Sequence, residues 1–516
     1  MLFSTGCGAK AVSGSVGRAR EGQSSTPDVG PSEDRRLGRS GLSYSEVLAQ
    51  SVSVIAPSTV PAAVLGLIFA KAGNATWLSF VLGILGLILV SLNINQFARR
   101  SASPGSLYSY IVRGLGPTAG VLGGWALLFG YTLTGMSTLC GFALSANVLL
   151  KQLLGIQLPV PALFAFGVLG SFFIAFRDIQ LSARTMLVFE GLSLIFVLVL
   201  GAKVWSNAGF AVDTSQLTLE GATPSGTLVG VVLVVFGFSG FESSTSLGHE
   251  AKDPLKSIPR SVIQSVVLAG AFFIAISYVV VLGFEKSGES LAHSEAPLNS
   301  LAHAVGWGGL GMAINVGVLL SFFSCTLASI NSTARILFAM AHHGLILDAL
   351  GQAHVANRTP HVAVGLSALI TFSVPCALYL AGVGAFESQG HFGTLCSFGF
   401  IVVYLLISVA APVFLSSIGK LTPKAIAYSV GGIAFMLLPL LGTIGVPGSG
   451  LFPTPDATGA LLLAIFAGYV AVGLAWLQLQ RRRRPKMIAR MKSAVAAQHE
   501  DALSAMAESG ASPVAR

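Results

Sequence analysis

The stretch Leu228–Glu242, LVGVVLVVFGFSGFE, decides the fold class. It starts as an apolar run suited to a membrane, and Gly237, Ser239 and Gly240 then interrupt it just before Glu242. A helix interrupted within lipid leaves backbone N–H and C=O groups without partners, which is tolerated only where the break is buried in protein or lines a cavity. An interruption beside an ionisable residue at membrane depth therefore predicts a binding site.

The composition is that of an integral membrane protein. Of the 516 residues, 53% are hydrophobic and 10% are charged, whereas soluble domains carry roughly a quarter charged residues. No CxxC spacing occurs among the five cysteines, so neither a disulfide framework nor a metal site is predicted. No cofactor is expected, apart from a transported or coupling ion.

Apolar segments of about 20 residues are long enough to cross a bilayer as helices, and the chain contains twelve of them. The predicted spans are 45–70, 75–98, 104–149 (with a re-entrant start), 159–177, 180–205, 226–247, 259–284, 306–341, 362–384, 392–416, 424–445 and 458–480. Residues 1–42 are predicted to be a disordered cytoplasmic tail, residues 43–480 the transmembrane domain, and residues 481–516 a basic cytoplasmic tail.

The basic residues sort by side across these spans. All but four of the 30 Lys and Arg residues fall on the side of the termini; the exceptions are Lys71, Lys151, Lys203 and Lys286. This bias predicts a multi-pass protein of the plasma membrane with both termini in the cytoplasm. The net charge of +9 therefore orients the chain in the lipid bilayer, and nucleic acid is not an expected partner. A monomer and a homodimer both stay open.

A second interruption lies in the first span, in the run Ile55–Pro61, IAPSTVP. Pro57 and Pro61 each remove a helical donor and disfavour helix in the residue before them. The two interrupted spans are separated by an odd number of crossings, so they enter from opposite sides, as an inverted repeat requires. Free N–H groups attract a carboxylate and free carbonyls accept from an ammonium, so an amino acid fits both ends. Simple kinks or close packing are the alternative explanation, since Gly and Pro are common in such helices.

Three separated segments resemble the amino acid–polyamine–organocation (APC) superfamily of permeases. They are Phe236–Ile263, Ala98–Trp125 and Ser329–Ile346, the last followed by Thr359 and Pro360. The resemblance covers residues 43–480 and implies an all-α membrane fold of about 12 helices. It implies a five-plus-five inverted repeat, residues 43–206 and 225–417, with discontinuous helices 1 and 6 and two extra helices within 424–480. It also implies secondary transport of amino acids, polyamines or related amines by alternating access.

The resemblance places the substrate at the two interruptions. It implies substrate contacts at Ala56, Pro57, Ser58, Thr59, Phe236, Gly237, Phe238, Ser239 and Gly240. Phe236 matches an aromatic that gates bound substrate, and Glu242 matches an acidic position linked to substrate or proton handling. The first helix departs from the pattern, because it carries prolines where many relatives have a glycine-rich run; this changes which N–H groups are free.

Two acidic residues, Glu190 and Glu242, fall well inside the predicted spans. Burial disfavours a charged carboxylate, so both are candidates for proton coupling, Glu242 first because it lies beside a break. A carboxylate satisfied by helix donors is the structural alternative for Glu242. Some proton-coupled relatives hold a lysine at the position of Ser193, so sodium near hydroxyls such as Ser329 stays a second possibility, and exchange without either ion a third.

Several other polar residues are predicted to have no role in binding. Arg184 and Arg335 are expected to reach out from helix ends towards the membrane surface. Tyr108 and Tyr110 are expected to anchor the third span at the interface. The pair His342-His343 is expected in a solvated loop.

The favoured function is proton-coupled symport of amino acids across the plasma membrane. A permease or exchanger for an amine such as putrescine or ethanolamine is the alternative, although a polyamine site needs several carboxylates. An enzyme is not expected, because no HExxH, GxSxG or Walker motif occurs.

Overall fold

The computed structural model describes residues 41–483 except 102, 249 and 295, together with 488, 491 and 493. Within these residues the regular structure is helical. The helices are α1 Tyr44–Ile55, α2 Leu65–Ala72, α3 Thr76–Ala98, α4 Ser106–Leu115, α5 Pro117–Leu154, α6 Val160–Arg177, α7 Ile179–Asn207, α8 Thr214–Leu217, α9 Pro224–Gly237, α10 Pro254–Ser287, α11 Pro297–Ala304, α12 Gly308–His342, α13 His361–Leu380, α14 Ala385–Ser417, α15 Pro423–Ile444 and α16 Ala457–Arg483. A π-helical turn, Val60–Val64, and 3-10 turns at Gly73–Ala75, Ser243–Leu247, Leu291–His293 and Asp348–Gly351 connect them.

Ten helical stretches among the described residues are long and apolar enough to cross a membrane, which confirms a multi-pass all-α protein. The first stretch, Tyr44–Ala98, covers two of the twelve predicted spans, joined at Gly73, which has a φ of 53°. The sixth predicted span contains only the 14-residue α9 before its helix ends. Each of the twelve predicted spans therefore contains a helix, and the joining of the first two spans together with the shortness of α9 accounts for the count of ten.

The third predicted span is two helices rather than one. The short helix α4 ends at Gly116, which has a φ of 85°, and Pro117 then starts α5. Glycine adopts that conformation without strain, and proline is favoured at the first position of a helix. The 38-residue α5 packs against α12 and α14 at the centre of the molecule.

Close contact between α5 and α14 depends on a glycine. A Cβ atom added at Gly399 would lie 2.5 Å from the backbone oxygen of Ala126, so a larger residue would push the two helices apart. Small residues at such crossings are what allows membrane helices to pack. The last helix, α16, lies outside this core, and its Tyr469 and Trp476 stack on Trp125 of α5.

The ends of the chain differ in part from the prediction. Residues 1–40 of the predicted tail lie outside the described residues, as does nearly all of the chain beyond Arg483. Leu42, assigned to the disordered tail by its sequence, is instead 1% exposed and forms an isolated bridge with Ala251. Two backbone hydrogen bonds fix this contact, so the ordered domain begins slightly earlier than predicted.

Candidate functional site

The first helix breaks at the predicted prolines. Helix α1 ends at Ile55, and Ala56 follows in the left-handed conformation with a φ of 49°. The backbone N–H and the hydroxyl of Thr59 both donate to the carbonyl of Ala56, at 2.9 and 2.8 Å. Because Pro61 has no N–H, the carbonyl of Pro57 lacks the partner that a continuous helix would supply.

The second break follows α9, which ends at Gly237. Tight turns replace the helix: Phe238 N–H donates to Val235 and Phe241 N–H donates to Phe238, each at 3.2 Å. Gly240 has a φ of 84°, a conformation that favours glycine. The chain then continues through the 3-10 turn Ser243–Leu247, so this interruption is also confirmed at the predicted residues.

The two breaks lie against each other. A Cβ atom on Gly237 would lie 3.3 Å from Val60, and one on Gly240 would lie 2.3 Å from Val54. Beyond the second break, Ser243 Oγ donates to the carbonyl of Gln50 at 3.0 Å. Residue numbers rise along one segment as they fall along the other, so the two interrupted segments run antiparallel.

Glu242 lies at this junction and is fully buried. Tyr131 from α5 donates its hydroxyl to Oε1 at 2.7 Å, and Tyr404 from α14 donates to Oε2 at 2.5 Å. The Tyr404 hydroxyl in turn accepts the backbone N–H of Gly240 at 3.0 Å. Tyr404 therefore connects the carboxylate to the backbone of the second break.

Glu190, the second buried acid predicted for coupling, lies on the helix that contacts the first break. It lies on α7, 3% exposed, and the Ser321 hydroxyl of α12 donates to its two oxygens at 2.9 and 3.1 Å. One helical turn further along α7, Ser193 Oγ donates to Ser58 Oγ within the first break at 2.6 Å. A pair of hydroxyl groups thus links α7 to this break, and the Ser321 hydroxyl links α12 to α7.

The predicted substrate residues are brought together, all in or beside the two breaks. Ser58 and Phe238 are fully buried, and the Phe238 ring meets Phe273 edge to face with centroids 5.1 Å apart. Phe236, the predicted gate, is half-buried in the last turn of α9. Most of the nine predicted residues are buried.

Tyr131 and Tyr404 are the functional candidates that the sequence did not indicate. They lie 111 and 162 residues from Glu242 in the chain, so no local spacing pattern connects them to it. A tyrosine inside an apolar span needs a hydrogen-bond partner for its hydroxyl. That requirement is the one signal in the sequence from which a buried polar contact of these tyrosines could have been predicted.

Four predictions for other polar residues were wrong. Arg335 does not reach out to the membrane surface: it is 1% exposed and pairs with Glu250, Nε to Oε2 at 2.6 Å. His343 is 1% exposed rather than solvated, and its Nδ1 lies 2.7 Å from the hydroxyl of Tyr108. Tyr108 and Tyr110 are fully buried rather than interfacial. Each error has the same origin, because helix-end positions become buried when neighbouring helices cover them.

Known proteins are similar to this chain over most of its length. The family model described as amino acid permease matches residues 56–444. The chain is 25% identical over 354 residues to the branched-chain amino acid permease BcaP of Bacillus subtilis (strain 168), covering 66% of this chain and 73% of that protein.

Two other relatives carry different names. The low-affinity putrescine importer PlaP of Escherichia coli (strain K12) is 23% identical over 416 residues, 77% of this chain and 82% of its own length. The methylthioribose transporter of Bacillus subtilis (strain 168) is 24% identical over 358 residues, 66% of this chain and 73% of its own. With a family match over most of its length, the chain belongs to the amino acid permease family of the APC superfamily and is a membrane transporter, not an enzyme.

Proposed function

We propose that the protein is a secondary transporter that carries amino acids across the plasma membrane by alternating access, coupled to protons. The observation that carries the proposal is the buried Glu242 at the junction of the two breaks, joined through Tyr404 to the N–H of Gly240. Unpaired peptide groups and an ionisable side chain at the same place are what a substrate site within lipid needs.

Backbone groups of the breaks supply the recognition of substrate. The residues concerned are Ala56, Pro57, Ser58, Thr59, Phe236, Gly237, Phe238, Ser239 and Gly240. Half-helix N-termini suit a carboxylate and freed carbonyls such as that of Pro57 suit an ammonium. Phe236, half-buried in the last turn before the second break, is placed to cover a bound substrate.

The carboxylates favour an amino acid over a diamine. A diamine needs negative charge at both of its ends, but Glu190 and Glu242 already accept from serine and tyrosine hydroxyls. Glu250, which is also buried, is neutralised by Arg335. The branched-chain permeases among the relatives point to neutral apolar amino acids, so leucine, isoleucine and valine are the first substrates to test.

An amine is the second candidate substrate. The match to a putrescine importer over 77% of this chain is the observation that favours it. Ethanolamine, which has one ammonium and no carboxylate, would need fewer acidic groups than putrescine. A single carboxylate such as Glu242 could pair with it if one tyrosine hydroxyl turned away.

Proton coupling is proposed at Glu242, with Glu190 as the second candidate. Neither carboxylate takes part in an ion pair among the described residues. A buried carboxylate without a cationic partner is costly, and proton uptake removes that cost. We also propose cytoplasmic termini, from the charge bias, and leave open a monomer or a homodimer.

The test is uptake of radiolabelled leucine, alanine, arginine and putrescine into proteoliposomes, with and without a proton gradient and with sodium omitted. Leucine uptake driven by the gradient is expected. Glu242→Gln keeps the size of the side chain but cannot cycle a proton, so uptake should lose its dependence on pH. Glu190→Gln tests the second candidate, and loss of pH dependence in that variant alone would assign the coupling to Glu190. Putrescine uptake alone would favour the second candidate, and pH-dependent leucine uptake by Glu242→Gln would remove Glu242 from coupling.

A further inference from the structure

Six basic residues lie at one end of neighbouring helices, where α4, α14 and α16 end and α5 and α15 begin. We call this cluster the basic end and define it by Arg113, Lys420, Lys424, Arg481, Arg482 and Arg483. Arg113 and Arg481 are half-buried, and the other four are exposed. The basic end therefore consists of four solvated charges and two that are held against the protein.

Two contacts bring the half-buried arginines to the turn between α4 and α5. Arg481, in the last turn of α16, donates through Nη2 to the hydroxyl of Thr118 in the first turn of α5. Arg113, in the last turn of α4, places its guanidinium carbon 5.0 Å from the ring centre of Phe414 on α14. The charged ends of α4 and α16 therefore lie at the same turn.

No acidic residue of the helices that form the basic end balances its charge. The sequence has no Asp or Glu between Glu46 and Asp178, a segment that includes α4 and α5. From 385 to 483 the only acids are Glu387 and Asp456, which lie at the opposite ends of α14 and α16. Within the described part of the chain, none of the six basic residues forms an ion pair. An anion is therefore the partner that this surface fits.

The two half-buried arginines have donors without acceptors. Nη1 of Arg113 and Nε of Arg481 are covered by protein atoms and have no hydrogen-bond partner among the residues that the structure describes. An unsatisfied cationic donor is costly. Phosphate suits such donors, because a guanidinium binds its oxygens through paired N–H groups. The orphaned donors therefore point to a phosphate group as the missing acceptor.

The surroundings of the basic end point to a lipid as the source of that phosphate. Only four of the 27 residues of α16 are buried, namely Leu462, Phe466, Gly473 and Leu477, so most of this apolar helix is left to face acyl chains. Its last turn holds Arg481, Arg482 and Arg483. A basic tract directly after a membrane helix lies at the depth of the lipid headgroups and attracts anionic ones.

We propose that the basic end binds the phosphate group of an acidic phospholipid, and that this lipid fastens the end of α16 to the turn between α4 and α5. The aromatic stack on Trp125 holds the middle of α16, and the Thr118 bond holds its end. A headgroup bound by Arg113 and Arg481 adds a second attachment at that end. Lipid binding here is independent of the transported substrate, because none of these residues belongs to the breaks.

The test is the melting temperature of the purified protein in detergent while short-chain phosphatidylglycerol is added. Phosphatidylcholine of the same chain length and inorganic phosphate are the parallel probes. Phosphatidylglycerol should raise the melting temperature to a plateau, because a ligand of the folded state stabilises it by mass action. Phosphatidylcholine has no net charge and free phosphate has no acyl chains, so both should shift the melting temperature much less.

Two single variants each remove one guanidinium from the basic end. Arg113→Gln and Arg481→Gln should each raise the half-saturating concentration of phosphatidylglycerol about tenfold, as the loss of one bond to a charged group predicts. The double variant should show no saturable shift. Arg184→Gln is the matched control, because it removes the same charge from an arginine that is 67% exposed and pairs with Glu46. Its half-saturating concentration should stay within about twofold of the parent value.

The proposal is wrong if phosphatidylglycerol has no effect or if phosphatidylcholine stabilises equally, since the latter indicates a bulk effect of lipid. It is also wrong if inorganic phosphate stabilises equally, which indicates an anion site without a lipid. An equal loss in Arg184→Gln would indicate diffuse attraction by net charge and overturns it too. If Arg113→Gln does not fold, Arg481→Gln against Arg184→Gln decides. None of these measurements needs a substrate, so their failure is distinguishable from failure of the proposed function.

Discussion

At the scale of single residues, Tyr404 is notable because it contacts both the buried acid and the backbone of the second break. Its hydroxyl donates to Glu242 and accepts from the N–H of Gly240. One side chain therefore joins the carboxylate to the backbone of the second break. Tyr131 donates to the other oxygen of the same carboxylate, Oε1. The two tyrosines are therefore a matched pair for mutation.

Tyr404→Phe should reduce uptake about 10- to 100-fold, because a hydrogen bond to a charged group is worth about 1.5–3 kcal/mol. Tyr131→Phe should cost less, since the Gly240 N–H keeps its acceptor. The measurement is initial uptake by each variant across a range of pH. Equal losses in the two variants would show that the link to Gly240 contributes nothing to transport.

His343 makes the stability of the fold depend on pH in the acid range. It lies just beyond the end of α12, and burial first, then the neighbouring His342, lowers its pKa from 6.5 to about 4. Between pH 6.5 and about pH 4, His343 is protonated in the unfolded chain but not in the folded protein. Stability is therefore fully present above about pH 6.5 and falls as the pH drops towards 4, by about 3 kcal/mol for a shift of this size.

His343→Gln should flatten that dependence, because glutamine does not titrate. The measurement is the melting temperature in detergent between about pH 7 and pH 4 for the parent and the variant. His342→Gln, at an exposed neighbour, is the comparison and should weaken the dependence only slightly, because burial is the larger cause of the lowered pKa of His343. An unchanged slope in His343→Gln would mean that another group controls the acid response.

At the scale of secondary-structure elements, the two breaks pack against each other at two glycines, closely at Gly240 and less closely at Gly237. A Cβ atom on Gly240 would lie 2.3 Å from Val54, and alanine is strained at a φ of 84°. A Cβ atom on Gly237 would lie 3.3 Å from Val60, a distance that a small adjustment can relieve. The two glycines therefore differ in what a methyl group would do.

Gly240→Ala should lower stability by about 2–4 kcal/mol, from backbone strain and overpacking together, and should reduce uptake strongly. Gly237→Ala should stay close to the parent in both respects. Melting temperature and initial uptake of the purified variants test this pair. Normal uptake by Gly240→Ala would show that the contact between the breaks is not needed for transport.

At the scale of the whole molecule, α16 packs against α5 and lies beyond the residues matched by the family model. The family match ends at residue 444, before this helix begins. Trp125 of α5 stacks on Tyr469 and Trp476 with centroids 5.4 and 5.6 Å apart, and a Cβ atom on Gly473 would lie 2.3 Å from its ring. The aromatic stack therefore joins α16 to the central helix.

Trp125→Ala should lower stability by up to about 3 kcal/mol without changing the KM for substrate, because the indole packs away from the breaks. Trp476→Ala, which removes one stacking partner, should have a smaller effect. Thermal melting and uptake at several substrate concentrations separate the two outcomes. A changed KM in Trp125→Ala would place α16 in the transport cycle.

Local features were predictable from the sequence because their causes are local. Apolar length determines which segments cross the membrane, and Pro57, Pro61, Gly237 and Gly240 lie at the two places where the helices are interrupted. Glu242 was identified by the same reasoning, since an acid beside a break within lipid is conspicuous. The short helix α4 was anticipated only as an irregular start of the third span.

Pairings between distant segments were not predictable, because they depend on which helix faces cover one another. Glu250 and Arg335 lie 85 residues apart and each resembles an ordinary helix-end or loop charge. Tyr404 reaches Glu242, and His343 reaches Tyr108, only after packing brings their helices together. The order of amino acids alone predicts a bilayer-spanning helical chain with two interruptions in its backbone. Which side chains meet at those interruptions depends on the packed fold, since burial and hydrogen bonding are properties of neighbours in space.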